Sequence, residues 1–181
     1  DIDMSVDTAE GGDWNLTGHG WTPIDGFAGT FDGNGHRIIG MHIYGEMEMG
    51  VGLFGKLNYP PSFDKKVIIR NLAMIDIAIN IKGKDDNRSW CSVGGIVGHG
   101  HDEVEIEKCY TTGDILADIK YNGSVGGLIG DGGYSSISNS YNGCSIILSG
   151  EFSSTEDGVG GIAKVCKAEY CYNIGAISKM E

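Results

Sequence analysis

The sequence SVGGLIG (residues 124–130) places three glycines among apolar residues, and close relatives of it recur along the chain. They are SVGGIVG at residues 92–98, GVGLFG at 50–55 and GVGGIA at 158–163. The last glycines of the GG pairs are Gly95, Gly127 and Gly161, so the interval is 32 and then 34 residues. A near-constant interval of this length is the sequence signature of a repeat architecture.

A second pattern follows the glycine-rich stretches. It reads IIRNLAMIDI from Ile68, IEKCYTTGDI from Ile106, ISNSYNGCSI from Ile137 and AEYCYNIGAI from Ala168. Aligning these four copies superimposes one anchor position, occupied by Leu72, Tyr110, Tyr141 and Tyr172. Five residues after each anchor stands an isoleucine, at Ile77, Ile115, Ile146 and Ile177. Four copies in one register predict a structural unit that repeats.

Within each unit, short runs of β-branched and aromatic residues alternate with polar residues and end at Gly, Asn or Asp. This pattern indicates strands separated by turns, and helical periodicity is absent. Units of about 31 residues with three short strands match one coil of a parallel β-solenoid, whose equivalent residues stack about 4.8 Å apart. We therefore predict an all-β fold, a right-handed parallel β-helix (β-solenoid) of about five coils. The rule for parallel crossovers supplies the handedness.

The domain organisation follows from length and repeats. The 181 residues, with 40% hydrophobic content, suffice for one core. We predict a single β-solenoid module over residues 1–181, with an initial coil at 1–49 and the repeats at 50–181. The sequence opens on DIDMSVD, with neither an initiator Met nor the pattern of a signal peptide, and is therefore expected to be a fragment of a larger chain.

The recurring glycines have a geometric explanation. Glycine permits bends that a β-carbon forbids and lets two backbones approach closely, so a GG pair at one point of every coil predicts a corner of the solenoid. A phosphate-binding loop is disfavoured because neither a GK[ST] motif nor a strand-to-helix transition follows the glycines.

The charge balance restricts the partners. The chain has 13 Lys and Arg against 25 Asp and Glu, for a net charge of −12. Such a surface repels phosphate backbones and anionic lipids, so nucleic acid is not an expected partner. The long apolar run VIIRNLAMIDIAINI, from Val67, contains Arg, Asn and Asp and falls short of the roughly 20 apolar residues that a membrane span needs. No membrane insertion is expected.

The five cysteines are Cys91, Cys109, Cys144, Cys166 and Cys171. Their odd number and the lack of any CxxC pair indicate neither a zinc or redox motif nor a complete disulfide framework. Cys109 and Cys171 occupy equivalent positions two coils apart, with Ser140 between them. That separation is roughly 9.6 Å, beyond disulfide reach, so free thiols that fill a buried ladder are predicted.

Two motifs contain metal-ligand residue types. DGNGH (residues 32–36) lacks the further acidic ligands of a calcium loop, and Asx turns explain it. HGHDE (residues 99–103) combines two imidazoles with two carboxylates, but five residues of one loop lack the surrounding partners that orient metal ligands. We predict no metal site and no cofactor.

Two features are candidate binding surfaces. KGKDDNRSW (residues 82–90) is a polar insertion with an aromatic end, either a projecting loop that contacts a partner or a solvated loop. The aromatic residues Trp14, Trp21, Tyr59, Trp90 and Tyr134 could form a sugar-stacking platform if they shared one face. Alternatively, the first two tryptophans pack over the open first coil.

An enzyme remains an alternative, because polysaccharide lyases and glycosidases also use parallel β-helices. Their chemistry needs a pair of carboxylates, or a base with a neutralising cation or Arg. Asp114 and Asp118 are predicted to face outward on the same side of one strand. Their equivalents in the next coil are Ser145 and Ser149, and nothing basic is expected in register beside them. No catalytic residue is assigned, and we do not expect an enzyme.

The motifs GLFG, GGIVG and GGLIG resemble the GLUG-repeat family, and WTPIDGFAGTFDGNGHRIIGMHI (residues 21–43) is similar to the coil that commonly precedes such repeats. The resemblance covers nearly the whole chain. The last unit departs from it, with Ala163 and Lys164 where the motif closes on glycine and Ala168 in place of isoleucine. The resemblance implies a module of a large secreted or surface-anchored bacterial protein, such as an adhesin-like chain or a non-catalytic region of a secreted peptidase. It carries over no catalytic residue.

The expected function is a non-catalytic extracellular adhesion, binding or spacer module. It displays three connections of variable length, at residues 56–67, 82–92 and 149–158, along one edge of a rigid β-helix. The expected partners are a host glycan, extracellular matrix or another surface polymer, together with adjacent domains of the parent chain. The alternatives are a carbohydrate-active β-helix enzyme and a purely structural spacer of a larger secreted enzyme.

Overall fold

The protein is built from β-strands joined by turns and loops. The computed structural model describes residues 1–57, 66–86, 88–100, 104–150 and 158–180, and every regular element within these ranges is a strand.

The described strands form four sheets, named A to D. Sheet A contains β1 (Ile2–Asp3), β3 (Arg37–Ile39), β4 (His42–Met47), β8 (Ala73–Gly83), β12 (Tyr110–Asp118), β16 (Tyr141–Ser149), β19 (Tyr172–Asn173) and β20 (Ile177–Lys179). Sheet B contains β6 (Phe54–Leu57), β10 (Val97–Gly100) and β14 (Ile129–Asp131). Sheet C contains β2 (Gly29–Asp32), β7 (Val67–Arg70), β11 (Val104–Glu107), β15 (Ser136–Ser138) and β18 (Lys167–Glu169). Sheet D contains β5 (Met49–Val51), β9 (Cys91–Gly94), β13 (Gly123–Gly126) and β17 (Gly158–Gly160).

The chain visits these sheets in a fixed order. From β2 onward it passes through sheets C, A, D and B, and it returns to sheet C with β7, β11 and β15. We call each such passage a round. All pairings between the named strands are parallel, and strands of successive rounds lie side by side in every sheet. The predicted all-β class with stacked parallel sheets is confirmed, and this arrangement is compatible with a β-helix.

The predicted ladders are confirmed for the later rounds. Tyr110 pairs in register with Tyr141, and Tyr141 pairs with Tyr172. The isoleucine ladder runs in the same way through Ile115, Ile146 and Ile177. Residues that the repeat aligned are therefore neighbours across strands β12, β16, β19 and β20.

The first copy of the repeat was aligned wrongly. Ala73, not Leu72, pairs with Tyr110, and Ile79, not Ile77, pairs with Ile115. The second error is larger by one residue because β8 contains a bulge: the register shifts between Thr111 and Gly113, which leaves one extra residue in β8. A bulge residue often adopts an unusual backbone conformation, and Asp76 has a φ of 51°.

The core lies between the sheets and is formed by inward side chains of the same type in successive rounds. The strands alternate buried and exposed residues, as β16 shows from Tyr141 to Ser149. Fully buried ladders include the valines Val51, Val93 and Val125 and the isoleucines Ile79, Ile115 and Ile146. Burial of each such side chain contributes roughly 1.5–3 kcal/mol, so the repetition of one residue type produces a continuous core.

The glycine pairs occupy the corner between sheets D and B, as predicted. Gly95 follows β9, and its amide donates to the Gly127 carbonyl over 3.1 Å, while the Gly127 amide donates to Gly161 over 3.2 Å. The reason for glycine here is close approach. A β-carbon on Gly95 would lie 2.7 Å from the Gly127 carbonyl oxygen and 2.8 Å from Thr111 Cγ2.

The corner between sheets C and A contains a column of residues in the left-handed conformation. Asn71, Lys108, Asn139 and Tyr170 have φ values of 52°, 52°, 50° and 53° and stand at equivalent positions in successive rounds. Asparagine tolerates this conformation better than most residues other than glycine, whereas a lysine or tyrosine is strained in it.

We expect Lys108→Asn to stabilise the protein by about 0.5–1 kcal/mol, part of the roughly 1–2 kcal/mol that the left-handed conformation costs an ordinary residue. Urea unfolding measures the change. The matched control is Lys167→Asn, which lies in strand β18 and should give no gain. An unchanged or lower unfolding midpoint for Lys108→Asn would contradict the strain argument.

All five cysteines are free thiols. Cys109 is buried, Ser140 separates it from Cys171 in the stack, and the Cys109 amide donates to the Ser140 hydroxyl over 3.0 Å. The prediction of free thiols in a buried ladder is confirmed for Cys109, whereas Cys171 is only half-buried. Burial raises the pKa of Cys91 and of Cys109 to about 12 and that of Cys144 to about 11.

We expect iodoacetamide at pH 8 to modify native protein at Cys166 and Cys171 only, because these two thiols are half-buried while the other three are enclosed. The thiolate is the reactive form, and burial suppresses it. Peptide mass mapping measures the sites, with urea-unfolded protein as the control in which all five react. Modification of Cys109 as fast as Cys171 would contradict this arrangement.

Candidate ligand-binding surface

The outer face of sheet A is the candidate surface. We define the sheet A surface as the outward side chains of β8, β12 and β16, together with the C–A corner where these strands begin and the described residues of the connections to sheet D that follow them. Strand β12 has nine residues and is about 30 Å long. Its alternation places Thr111 and Ile115 in the core and Tyr110 and Asp114 outside. The surface is long enough for several units of an extended polymer.

Three tyrosines form a stack at one end of this surface. The ring centroids of Tyr110 and Tyr141 are 4.7 Å apart and those of Tyr141 and Tyr172 are 5.1 Å apart, with planes within 6° in both pairs. Burial, together with its two neighbours, raises the pKa of Tyr141. Because the rings cover one another, a ligand can stack only on the free face at either end.

The free face of Tyr110 lines a cavity of about 430 Å³, which we call the corner cavity. The in-register neighbour of Tyr110 on that side is the buried Ala73, which has no ring to continue the stack, and Arg37 of β3 follows it in the same column. Asn34, Asn71 and Lys108 also line the cavity. It thus combines one aromatic face with two amides and an ammonium group.

Asp32 holds the rim of the corner cavity. Its Oδ1 accepts hydrogen bonds from Asn71 Nδ2 and from the Asn34 amide, both over 2.9 Å, and its Oδ2 accepts one from Arg70 Nε over 2.8 Å. The bond from Asn71, then those from Asn34 and Arg70, hold the pKa of Asp32 at about 2. The bond to the Asn34 amide confirms the Asx turn predicted for DGNGH. Asp32 therefore stays ionised and keeps Asn71 in one orientation.

The loop at the other margin is shorter than predicted and is held in place. Lys82 and Gly83 belong to strand β8, which leaves residues 84–90 as the connection to sheet D. Lys84 Nζ pairs with Glu48 over 2.9 Å, and Lys120 Nζ pairs with Asp85 over 2.6 Å. Glu48 belongs to the preceding round and Lys120 to the following one, so the loop is ion-paired to both neighbouring rounds.

The three variable connections do not all lie along one edge, so that prediction is wrong. Residues 82–92 and 149–158 lead from sheet A to sheet D, but residues 56–67 lead from β6 in sheet B to β7 in sheet C. Of these connections, residues 58–65, 87 and 151–157 lie outside the described residues. Two of the three variable connections, residues 82–92 and 149–158, therefore follow strands of the sheet A surface.

Both candidate carboxylates are on the sheet A surface. Asp114 and Asp118 point outward, and Ser145 and Ser149 lie beside them in β16 as predicted. The expectation that nothing basic lies in register was wrong, because Lys82 pairs with Asp118 on the other side. The lysine was missed because the alignment of the first copy was displaced.

The aromatic side chains do not form one platform. Trp14 and Trp21 contact each other edge to face at 6.4 Å and line an apolar cavity of about 490 Å³ beneath the first rounds, which confirms their packing over the open first coil. The ring of Trp90 contacts His99 of sheet B, with centroids 4.7 Å apart and planes tilted by 51°, and the exposed Tyr134 lies between sheets B and C. Tyr59 lies outside the described residues.

The HGHDE motif is only partly described. His99 and Gly100 belong to β10, whereas residues 101–103 lie outside the described residues. Among the residues that the structure describes, no group of three or more His, Cys, Asp or Glu side chains converges on a metal-sized site.

The corner cavity was missed at the level of sequence. Its signal is the break in the tyrosine column before Tyr110, where neither the aligned Leu72 nor the true neighbour Ala73 has a ring. Asn34 and Asn71 each stand just before a strand of sheet A and are typical turn residues, so neither attracted attention as a binding group.

Comparison with protein-family models finds no match, and neither do searches of curated proteins and of solved structures. The GLUG-repeat resemblance therefore stays a prediction. No helix with the length and apolar character needed to cross a membrane occurs within the described ranges.

Proposed function

We propose that the chain is a right-handed parallel β-helix of about five coils, a GLUG-like module of a secreted or surface-anchored bacterial protein. The fixed C–A–D–B order of the strands and their parallel pairing between rounds support the β-helix. The handedness rests on the general preference of parallel crossovers. The extracellular setting rests on the motif resemblance.

The proposed role is non-catalytic binding of an extended surface glycan. The observation that carries it is the sheet A surface, a regular outward face with an open aromatic ring at the C–A corner and an ion-paired loop at the D margin. Preformed surfaces bind with a smaller entropic cost than surfaces that must order on contact. The net charge of −12 favours a neutral polymer over an anionic one.

The test is a glycan and extracellular-matrix array probed with the purified chain. We expect hits among neutral glycans that weaken at least several-fold when residues 84–90 are replaced by a Gly-Ser sequence of equal length. The matched control is Tyr134→Ser, which changes an 86% exposed ring between sheets B and C and should bind as the unmodified chain does. A blank array would contradict binding and leave the spacer role.

A further inference from the structure

We propose that the corner cavity binds one pyranose ring of a neutral glycan, stacked on the free face of Tyr110. This inference rests on the proposed function, since it assumes that the partner is a glycan. It adds the chemical class of the ligand and the place where one of its rings lies.

The geometry of the tyrosine stack carries the proposal. Tyr141 covers one face of Tyr110 at 4.7 Å, and the stack stops on the other side because the next residue in the column is Ala73. The gap is about one strand spacing of 4.8 Å, the distance that a further stacked ring would occupy. The face of an aromatic ring carries partial negative charge and attracts the C–H groups of a sugar ring.

The rim of the cavity offers partners for sugar hydroxyls. Asn71 donates through Nδ2 to Asp32, so its Oδ1 is the side-chain atom that can accept a hydroxyl proton. Asn34 contributes a second amide, and Lys108 contributes an ammonium group. A hydroxyl both donates and accepts, so this mixture suits it. The volume of about 430 Å³ lies within the range of small-molecule sites.

The charges around the cavity favour a neutral sugar. Lys108 Nζ pairs with Glu107 over 2.9 Å, and Arg70 pairs with Asp32 over 2.8 Å. The cations are therefore each matched by a carboxylate, and the protein as a whole carries a net charge of −12. A uronic acid or a sulfated sugar would be repelled without a compensating positive site.

Two variants test the site in opposite ways. Ala73→Tyr extends the stack by one ring and fills the cavity, while Tyr110→Ala removes the platform. Tyr172→Ala is the matched control, because it removes a ring from the far end of the same stack and leaves the free face of Tyr110 in place. Ala73→Ser controls for substitution at position 73 itself.

The protein is prepared with ¹³C-labelled tyrosine rings, and NMR follows the ring signals as ligand is added. The ligands are the methyl glycosides of glucose, galactose, mannose and N-acetylglucosamine, and methyl glucuronide. We expect a saturable shift of the Tyr110 signals with at least one neutral glycoside. Tyr110→Ala removes the ring whose signals report binding, so the variants are compared through the ring signals of Tyr141, which lies against Tyr110 and is present in all of them. Ala73→Tyr and Tyr110→Ala should weaken binding at least tenfold, and the Tyr172→Ala and Ala73→Ser variants should keep it within about twofold of the unmodified chain. Circular dichroism of each variant verifies folding.

The outcomes separate this inference from the proposed function. Array hits that persist in folded Ala73→Tyr, or that occur without any shift of Tyr110, overturn the site and leave glycan binding intact. A blank array together with unshifted Tyr110 signals overturns both. Equal binding of methyl glucuronide overturns the assignment to neutral sugars.

Discussion

Gly130→Ala is expected to destabilise the protein by about 3 kcal/mol, at the upper end of the usual cost of overpacking a core. A β-carbon on Gly130 would lie 2.5 Å from Val93 N and 2.6 Å from Gly98 O. Both are backbone atoms of other strands, in sheets D and B, so neither can move without disturbing a parallel sheet. Urea unfolding measures the loss, and thermal unfolding should show a midpoint lower by roughly 6–12 °C.

The control for this prediction is Gly83→Ala. A β-carbon on Gly83 meets Ile119 Cγ2 at 3.4 Å, which is ordinary van der Waals contact. We expect a change of no more than about 0.5 kcal/mol there, the usual range for substitutions that disturb nothing. Equal effects at Gly130 and Gly83 would show that sheets B and D do not approach as closely as the structure has them.

Asn142→Ala is expected to cost about 2–3 kcal/mol, because it leaves the buried Cys144 amide without a partner, whereas the Thr111 hydroxyl can still donate to the Gly127 carbonyl over 3.1 Å. Asn142 is fully buried. Its Oδ1 accepts from the Cys144 amide and from the Thr111 hydroxyl, both over 2.9 Å, and its Nδ2 donates to Asn173 Oδ1 over 2.7 Å. Each group that loses its partner in a buried site costs roughly 1–3 kcal/mol.

Asn173→Ala serves as the control for Asn142→Ala, because Asn173 is the in-register neighbour of Asn142. Asn173 is exposed, so water replaces the bonds that it makes to Asn142 and to Gly175, and we expect a loss of less than about 1 kcal/mol. Urea midpoints of both variants give the comparison. If Asn142→Ala were as mild as Asn173→Ala, the bonds around Asn142 would not be the source of its stabilisation.

The repeat could be found from sequence because stacked strands select the same side chain at the same place. Ile115 and Ile146 face one core, so both must be apolar and of similar size, and this similarity is visible in the sequence alone. The glycine corner was predictable for the same reason. A close contact such as that of Gly95 with the Gly127 carbonyl excludes every side chain, which leaves only one choice of residue.

The first copy of the repeat was misaligned by one residue before the bulge, since Ile106 pairs with Ile69 and not with Ile68. Leu72 and Ala73 are both apolar and buried, so the pattern gives no reason to prefer either as the partner of Tyr110. The corner cavity shares this difficulty. It depends on the absence of a ring at Ala73, and a missing side chain becomes meaningful only once the correct neighbour is known.

The assignment of loops to edges needed the path of the chain through the sheets. Residues 56–67 and 82–92 are similar in length, yet one follows sheet B and the other follows sheet A. Length variation shows that a connection tolerates insertions, but it carries no information on which side of the molecule the connection lies.

The chain passes through sheets C, A, D and B in each round from β2 to β14, so the number of rounds can change without changing the cross-section of the molecule. A round contacts chiefly the rounds directly beside it, and each supplies the next with an equivalent surface. Duplication or deletion of a whole round therefore preserves the contacts at the new junction, whereas loss of part of a round does not. Such a chain can grow or shorten in evolution in steps of one repeat while the surface that it presents to a partner keeps its shape.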